Sequence, residues 1–125
     1  MSEPAGEALD IEALDGLRAS VEGDTAFVIE LIDAFLADSA LQLTAIESAV
    51  AAGDADALIR PAHTLKSASA TLGATRLSAT ARTLETAGRA GEVGEPDALA
   101  AADAIRAEWH AAASALRAWA EAADA

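Results

Sequence analysis

Three aspartates, Asp10, Asp24 and Asp54, each stand immediately before a run whose apolar residues recur every three to four positions. A glycine closes each run, at Gly23, Gly53 and near Gly73. An aspartate side chain accepts hydrogen bonds from the free N–H groups of a helix's first turn, and glycine adopts at little cost the left-handed conformation that ends one. The runs therefore read as helices. The first carries Ile11, Leu14, Leu17 and Val21; the second carries Phe27, Leu31, Phe35, Leu36, Leu43, Ile46 and Val50. The third opens after Asp54, and a fourth runs from Thr75 to Ala90 with Leu77, Ala81 and Leu84 as its stripe. After the linker GEVGEP, Pro96 suits the first position of a fifth helix bearing Leu99, Ile105, Trp109, Leu116 and Trp119. Alanine and leucine dominate, aromatics are few and tyrosine is absent, which favours helix throughout. Short connections make neighbouring helices antiparallel. The expected fold is all-α, an antiparallel four-helix bundle with a short additional N-terminal helix. It forms a single domain over residues 1–125, with 1–8 flexible.

Charge narrows the partners. A net charge of −13 repels nucleic acid and anionic membrane. The stretch from Arg60 to Arg89 is the exception, holding Arg60, Lys66, Arg76, Arg82 and Arg89 against the single acid Glu85. It sums to +4, so the rest of the chain carries −17. A basic island in an acidic protein suits docking to something acidic. There is no cysteine, no run of apolar residues long enough to span a bilayer, and no signal-peptide pattern in MSEPAGEALD, so a cytoplasmic location is expected.

The third helix holds the candidate chemistry, in Ala62–Ala74, AHTLKSASATLGA. At about 100° per residue, Leu58, Leu65 and Leu72 share one face, with Ala62 and Ser69 at its edge. His63 points nearly opposite, alongside Ile59, Lys66, Ser67, Ala70 and Ala74. His63 is therefore expected on the surface, and an imidazole nitrogen is a competent nucleophile near neutral pH. Lys66, read as an exposed side chain of little weight for stability, can neutralise an incoming anion. Pro61 falls inside this helix and is expected to cause a kink or tight turn before His63. His110 beside Trp109 reads as a bundle-edge residue, and two distant histidines without cysteine make a poor zinc site.

The segment AHTLKSASATLGA, followed by Arg76–Leu77 and Leu84–Glu85 and preceded by Phe35–Leu36 and Gly53–Asp54, resembles the histidine-containing phosphotransfer domain. The resemblance covers Phe27 to Gly91 and, in helix count, the whole chain. Ser67 stands where many members have glycine, and Pro61 is less usual. The resemblance implies a covalent carrier, not an enzyme: His63 accepts a phosphoryl group on Nε2 from a receiver-domain aspartate and passes it to another. By the same analogy Lys66 offsets phosphate charge, and Ile59, Ser67, Ala70 and Ala74 form the receiver-docking surface. The chain is expected to need no cofactor or metal of its own, because the receiver supplies carboxylates and Mg²⁺. Partners would be the receiver domains of a hybrid histidine kinase and of a response regulator, met by a monomer. The alternatives are a non-phosphorylated adaptor built on the same bundle and an enzyme using His63 as general base. The last lacks an orienting acid close in sequence.

Overall fold

The computed structural model describes residues 8–124 and holds five helices in the expected order. They are α1 (Ile11–Ser20), α2 (Thr25–Ala52), α3 (Ala55–Thr71), α4 (Thr75–Ala90) and α5 (Pro96–Asp124). No strand occurs among the described residues. The expected flexibility of residues 1–8 concerns positions outside this range, except Ala8, which is buried.

The aspartates cap as their positions require. The carboxylates of Asp10, Asp24 and Asp54 accept from the backbone N–H of Glu12, Phe27 and Ala57 at 3.1, 3.0 and 3.0 Å. Helices α2 to α5 form a closed ring, each packed on its sequence neighbours and α5 returning to α2. Buried leucines and isoleucines from all four fill the interior, Ile32, Ile46, Leu58, Leu65, Leu84 and Leu116 among them. Two polar contacts join α5 to α2. Trp109 Nε1 donates to Ser39 Oγ at 2.6 Å inside the core, and the Arg106 guanidinium forks onto Glu47 at 2.6 and 2.9 Å. Helix α1 packs Leu14 into the bundle, and its Arg18 lies 5.3 Å over the Trp119 ring.

Three readings of helix faces need correction. Ile11, Phe27 and Leu99, placed in apolar stripes, are 45%, 41% and 45% exposed; Leu14, Val28, Ile32 and Ala98 take the inward positions. For Phe27 and Leu99 the neighbouring residue in sequence points closer to the bundle axis. Pro61 stands inside the helix without ending it, as expected, and without a tight turn: α3 runs unbroken from Ala55 to Thr71. Pro61 is buried, and its missing N–H leaves the Ala57 carbonyl without its usual helical donor.

The α3–α4 connection fixes everything that follows. Gly73 has φ +80°, and a Cβ there would lie 2.6 Å from the Asp10 carbonyl oxygen. The Gly73 carbonyl in turn accepts from the Asp10 N–H at 2.7 Å, fastening the segment before α1 onto this turn. Gly73→Ala adds left-handed strain to that collision, so a loss of at least about 1–2 kcal/mol is expected. Urea unfolding of the variant checks it; an unchanged midpoint would show that the segment before α1 yields freely. Further along the hairpin, Gly88 lets the helices close up, since a Cβ there would sit 3.0 Å from both the Ala55 carbonyl oxygen and Ile59 Cγ1.

Candidate active site

His63 projects from the middle of α3 with 53% of its side chain exposed, as the opposition to the leucine face requires. Its Nδ1 lies 3.0 Å from Glu85 Oε2 on α4. Glu85 is buried, its side chain 8% exposed, and it gathers three partners. Lys66 Nζ stands 2.7 Å from Oε1, and Arg89 places Nε and Nη2 at 3.0 and 2.8 Å from Oε2. A buried carboxylate survives only when paired in this way. The Lys66 ammonium, then Arg89 and His63, hold its pKa down at about 2 against the opposing effect of burial.

An ionised carboxylate can only accept, so His63 Nδ1 carries the proton and donates it. In the neutral ring this leaves the lone pair on Nε2, at the edge turned away from Glu85, and Nε2 has no hydrogen-bond partner among the described residues. Glu85 therefore fixes ring orientation and tautomer together. The general acid–base chemistry of an enzyme would also want an enclosing pocket. The larger clefts, of about 530 and 430 Å³, lie between α4 and α5 and are not lined by His63. No group of three or more metal-ligating side chains occurs among the described residues.

The other expected site residues divide. Ser67 and Ala70 are exposed beside His63. Ile59 is half-buried against Gly88 and offers only part of its side chain. Ala74 is 0% exposed and does not belong to any surface: it is the residue preceding α4, and its N–H donates to the Ser69 carbonyl within the tight turn. Lys66 is not the free, exposed lysine expected, because its side chain is 27% exposed and engaged on Glu85. Sequence reasoning missed Glu85 as the orienting acid by searching only near His63. The signal was present. A helical hairpin folding about Ala74 brings together residues equally far before and after it, and His63 and Glu85 each stand eleven residues away.

The family model for the Hpt domain matches residues 30–119. That span exceeds half of the chain. The chain belongs to the Hpt domain family. The Hpt fold is also that of a solved relative, the histidine-containing phosphotransfer protein B (HptB) from Pseudomonas aeruginosa PAO1. That structure superposes with a TM-score of 0.79 at 29% identity, over 91% of this chain and 95% of the relative. A search of the curated proteins gives no match. Histidine phosphotransfer within a phosphorelay is thus the function of this Hpt domain, with receiver domains as the class of partner. No described helix is long and apolar enough to cross a membrane.

The Glu85 cluster makes this Hpt domain acid-sensitive in a defined window. A carboxyl lowered from 4.5 to about 2 on folding contributes stability that is present above pH 4.5 and lost as pH falls towards 2. Glu85→Gln should be less stable than the parent at pH 7, with the gap closing between about pH 4.5 and 2. Urea midpoints of both proteins across this range measure it. The same gap at pH 3 as at pH 7 would mean that the carboxylate is not held by its cations.

Proposed function

We propose that His63 Nε2 is the phosphoryl acceptor and donor, and that the Glu85-bound Nδ1–H is what readies it. The supporting observation is the 3.0 Å contact between a half-exposed imidazole and a buried, ionised carboxylate. The neutral ring attacks the phosphorus of a receiver's aspartyl phosphate. An N–P bond forms at Nε2, the O–P bond breaks, and the aspartate leaves as carboxylate. The ring becomes a phospho-imidazolium whose Nδ1–H still faces Glu85, so the new positive charge arises beside a negative one. The return step is the same sequence reversed.

Lys66 sits one turn from His63 and can share its ammonium between Glu85 and the phosphoryl oxygens. Ser67 and Ala70, exposed and small, leave room for a receiver's loops, with the accessible part of Ile59 at the margin. Phosphoryl transfer rests on positioning and charge. In this reading the receiver supplies the Mg²⁺ and acidic residues, and the chain requires no cofactor of its own. The partners are the receiver of a hybrid histidine kinase and that of a response regulator, met by a monomer in the cytoplasm.

The test is intact-mass analysis after mixing the protein with a phosphorylated receiver and Mg²⁺, followed by peptide mapping under alkaline conditions. One acid-labile phosphoryl group within the peptide bearing His63 is expected. A stable adduct, or one mapped to His110, would refute the assignment.

A further inference from the structure

A hydroxyl inside a helix has an acceptor within reach four residues earlier on the same helix. Thr44, Thr71 and Thr83 use it, donating to the carbonyls of Ala40, Ser67 and Ala79 at 3.2, 3.1 and 3.3 Å. Ser78 does not. Buried on α4, it donates across the hairpin to the Lys66 backbone carbonyl of α3 at 2.9 Å. That carbonyl keeps its own helical donor, the Ala70 N–H, so the hydroxyl adds a tie and repairs nothing.

The tie falls where the geometry around His63 is set. Ser78 precedes Glu85 by seven residues, two helical turns, so both side chains leave α4 towards α3. Lys66, whose backbone Ser78 holds, follows His63 by one turn and lays its ammonium 2.7 Å from Glu85 Oε1. Glu85 Oε2 then meets His63 Nδ1 at 3.0 Å. Ser78, Lys66, Glu85 and His63 thus close a circuit between the two helices.

The links of this circuit differ in stiffness. The Lys66–Glu85 and His63–Glu85 contacts join side chains with several torsions, which follow a sliding partner by changing rotamer. A serine hydroxyl hangs on one heavy-atom torsion and here grips backbone. A slip of about 1 Å along the helix axis takes it out of hydrogen-bond range. On the other side of the pair, Gly88 lets the helices close up against Ala55 and Ile59, but it offers no side chain to fix where one helix stands along the other.

Building on the carrier reading, we infer that Ser78 is a positioning residue for phosphoryl transfer: its hydroxyl fixes the register of α4 on α3 in which Glu85 orients the His63 ring. Ser78 acts through Lys66 and Glu85, not on the reacting atoms. A shifted carboxylate no longer holds the proton on Nδ1, and the other neutral tautomer puts it on Nε2, the nitrogen that must attack. Misplacement on the scale of about 1 Å costs up to about a hundredfold in rate.

The experiment compares the parent with Ser78→Ala and with Ser78→Thr, which keeps the hydroxyl. Nitrogen NMR shifts of the His63 ring, assigned against His63→Gln, are recorded on the free proteins at about pH 9, where an imidazole is neutral. Single-turnover phosphoryl uptake is then followed over a range of concentrations of a phosphorylated receiver domain with Mg²⁺. In Ser78→Ala the Nδ1 and Nε2 signals should move towards each other as the tautomers mix, and uptake at saturating receiver should slow roughly tenfold. The half-saturating receiver concentration should stay that of the parent, and Ser78→Thr should restore both signals and rate. Parental signals and rate in Ser78→Ala would overturn the assignment. So would a loss confined to the half-saturating concentration, a loss accounted for by a smaller folded fraction in urea unfolding, or equal slowing in a folded Ser78→Thr. Failure of the parent itself to take up phosphoryl from any receiver would instead overturn the carrier reading, and the ring signals would still decide whether Ser78 sets the tautomer.

Discussion

His63→Gln is expected to take up no phosphoryl group from any receiver while keeping its fold. The side chain is 53% exposed and meets Glu85 at the bundle surface, so the stability change should stay within about 1 kcal/mol. A glutamine amide can still donate to Glu85, which keeps the buried carboxylate satisfied. What disappears is the ring nitrogen with a free lone pair. Intact-mass analysis and urea unfolding of one preparation separate the two consequences. Phosphoryl uptake by the variant would remove His63 from the centre of the mechanism, and gross unfolding would mean that the ring props α3 against α4.

Leu65→Ala should do the reverse. Leu65 is 0% exposed, two residues from His63 but on the far side of the helix, inside the bundle. Truncation leaves a cavity in a close-packed interior and should cost about 2–5 kcal/mol, read as a lower urea midpoint with an unchanged slope. The folded fraction should still accept phosphoryl, because the Glu85–His63 contact spans the other face. Lys66→Ala, one position along, should lose both. It strips one cation from a buried carboxylate, which costs about 1–3 kcal/mol, and removes charge near the phosphoryl group, which slows transfer. A Lys66→Ala protein as stable as the parent would show that Arg89 alone suffices for Glu85.

The helices were legible because their ends are written in short-range chemistry. Asp54 meets Ala57 and Gly53 turns left-handed irrespective of what packs above them. His63 was placed correctly because its opposition to Leu58, Leu65 and Leu72 is a property of one helix. Errors entered where a second helix decides. Ala74 and Ile59 share the His63 side of α3 on the wheel, yet the turn buries the first and Gly88 on α4 half-covers the second. Phe27 and Leu99 lie on the expected apolar stripes, but the way each helix is rotated against its neighbours turns Val28 and Ala98 inward instead. Lys66 looked free because its acid is supplied from across the hairpin, at a separation that periodicity along one helix does not register.

The bond from the Asp10 N–H to the Gly73 carbonyl also bears on where the working unit begins. The stretch matched to the family starts at residue 30, yet Leu9, only 1% exposed, and Asp10 are seated on the turn from which α3 and α4 diverge. A fragment trimmed to the matched stretch would keep the histidine, its acid, the whole of α3 and α4 and most of α2 and α5. It would nonetheless lose the clasp at the hairpin's apex, leaving the register between His63 and Glu85 to the turn's own backbone bonds and the packing of α3 on α4. Shortening the chain from its start should therefore blunt reactivity at a residue more than fifty positions downstream well before it dismantles the bundle.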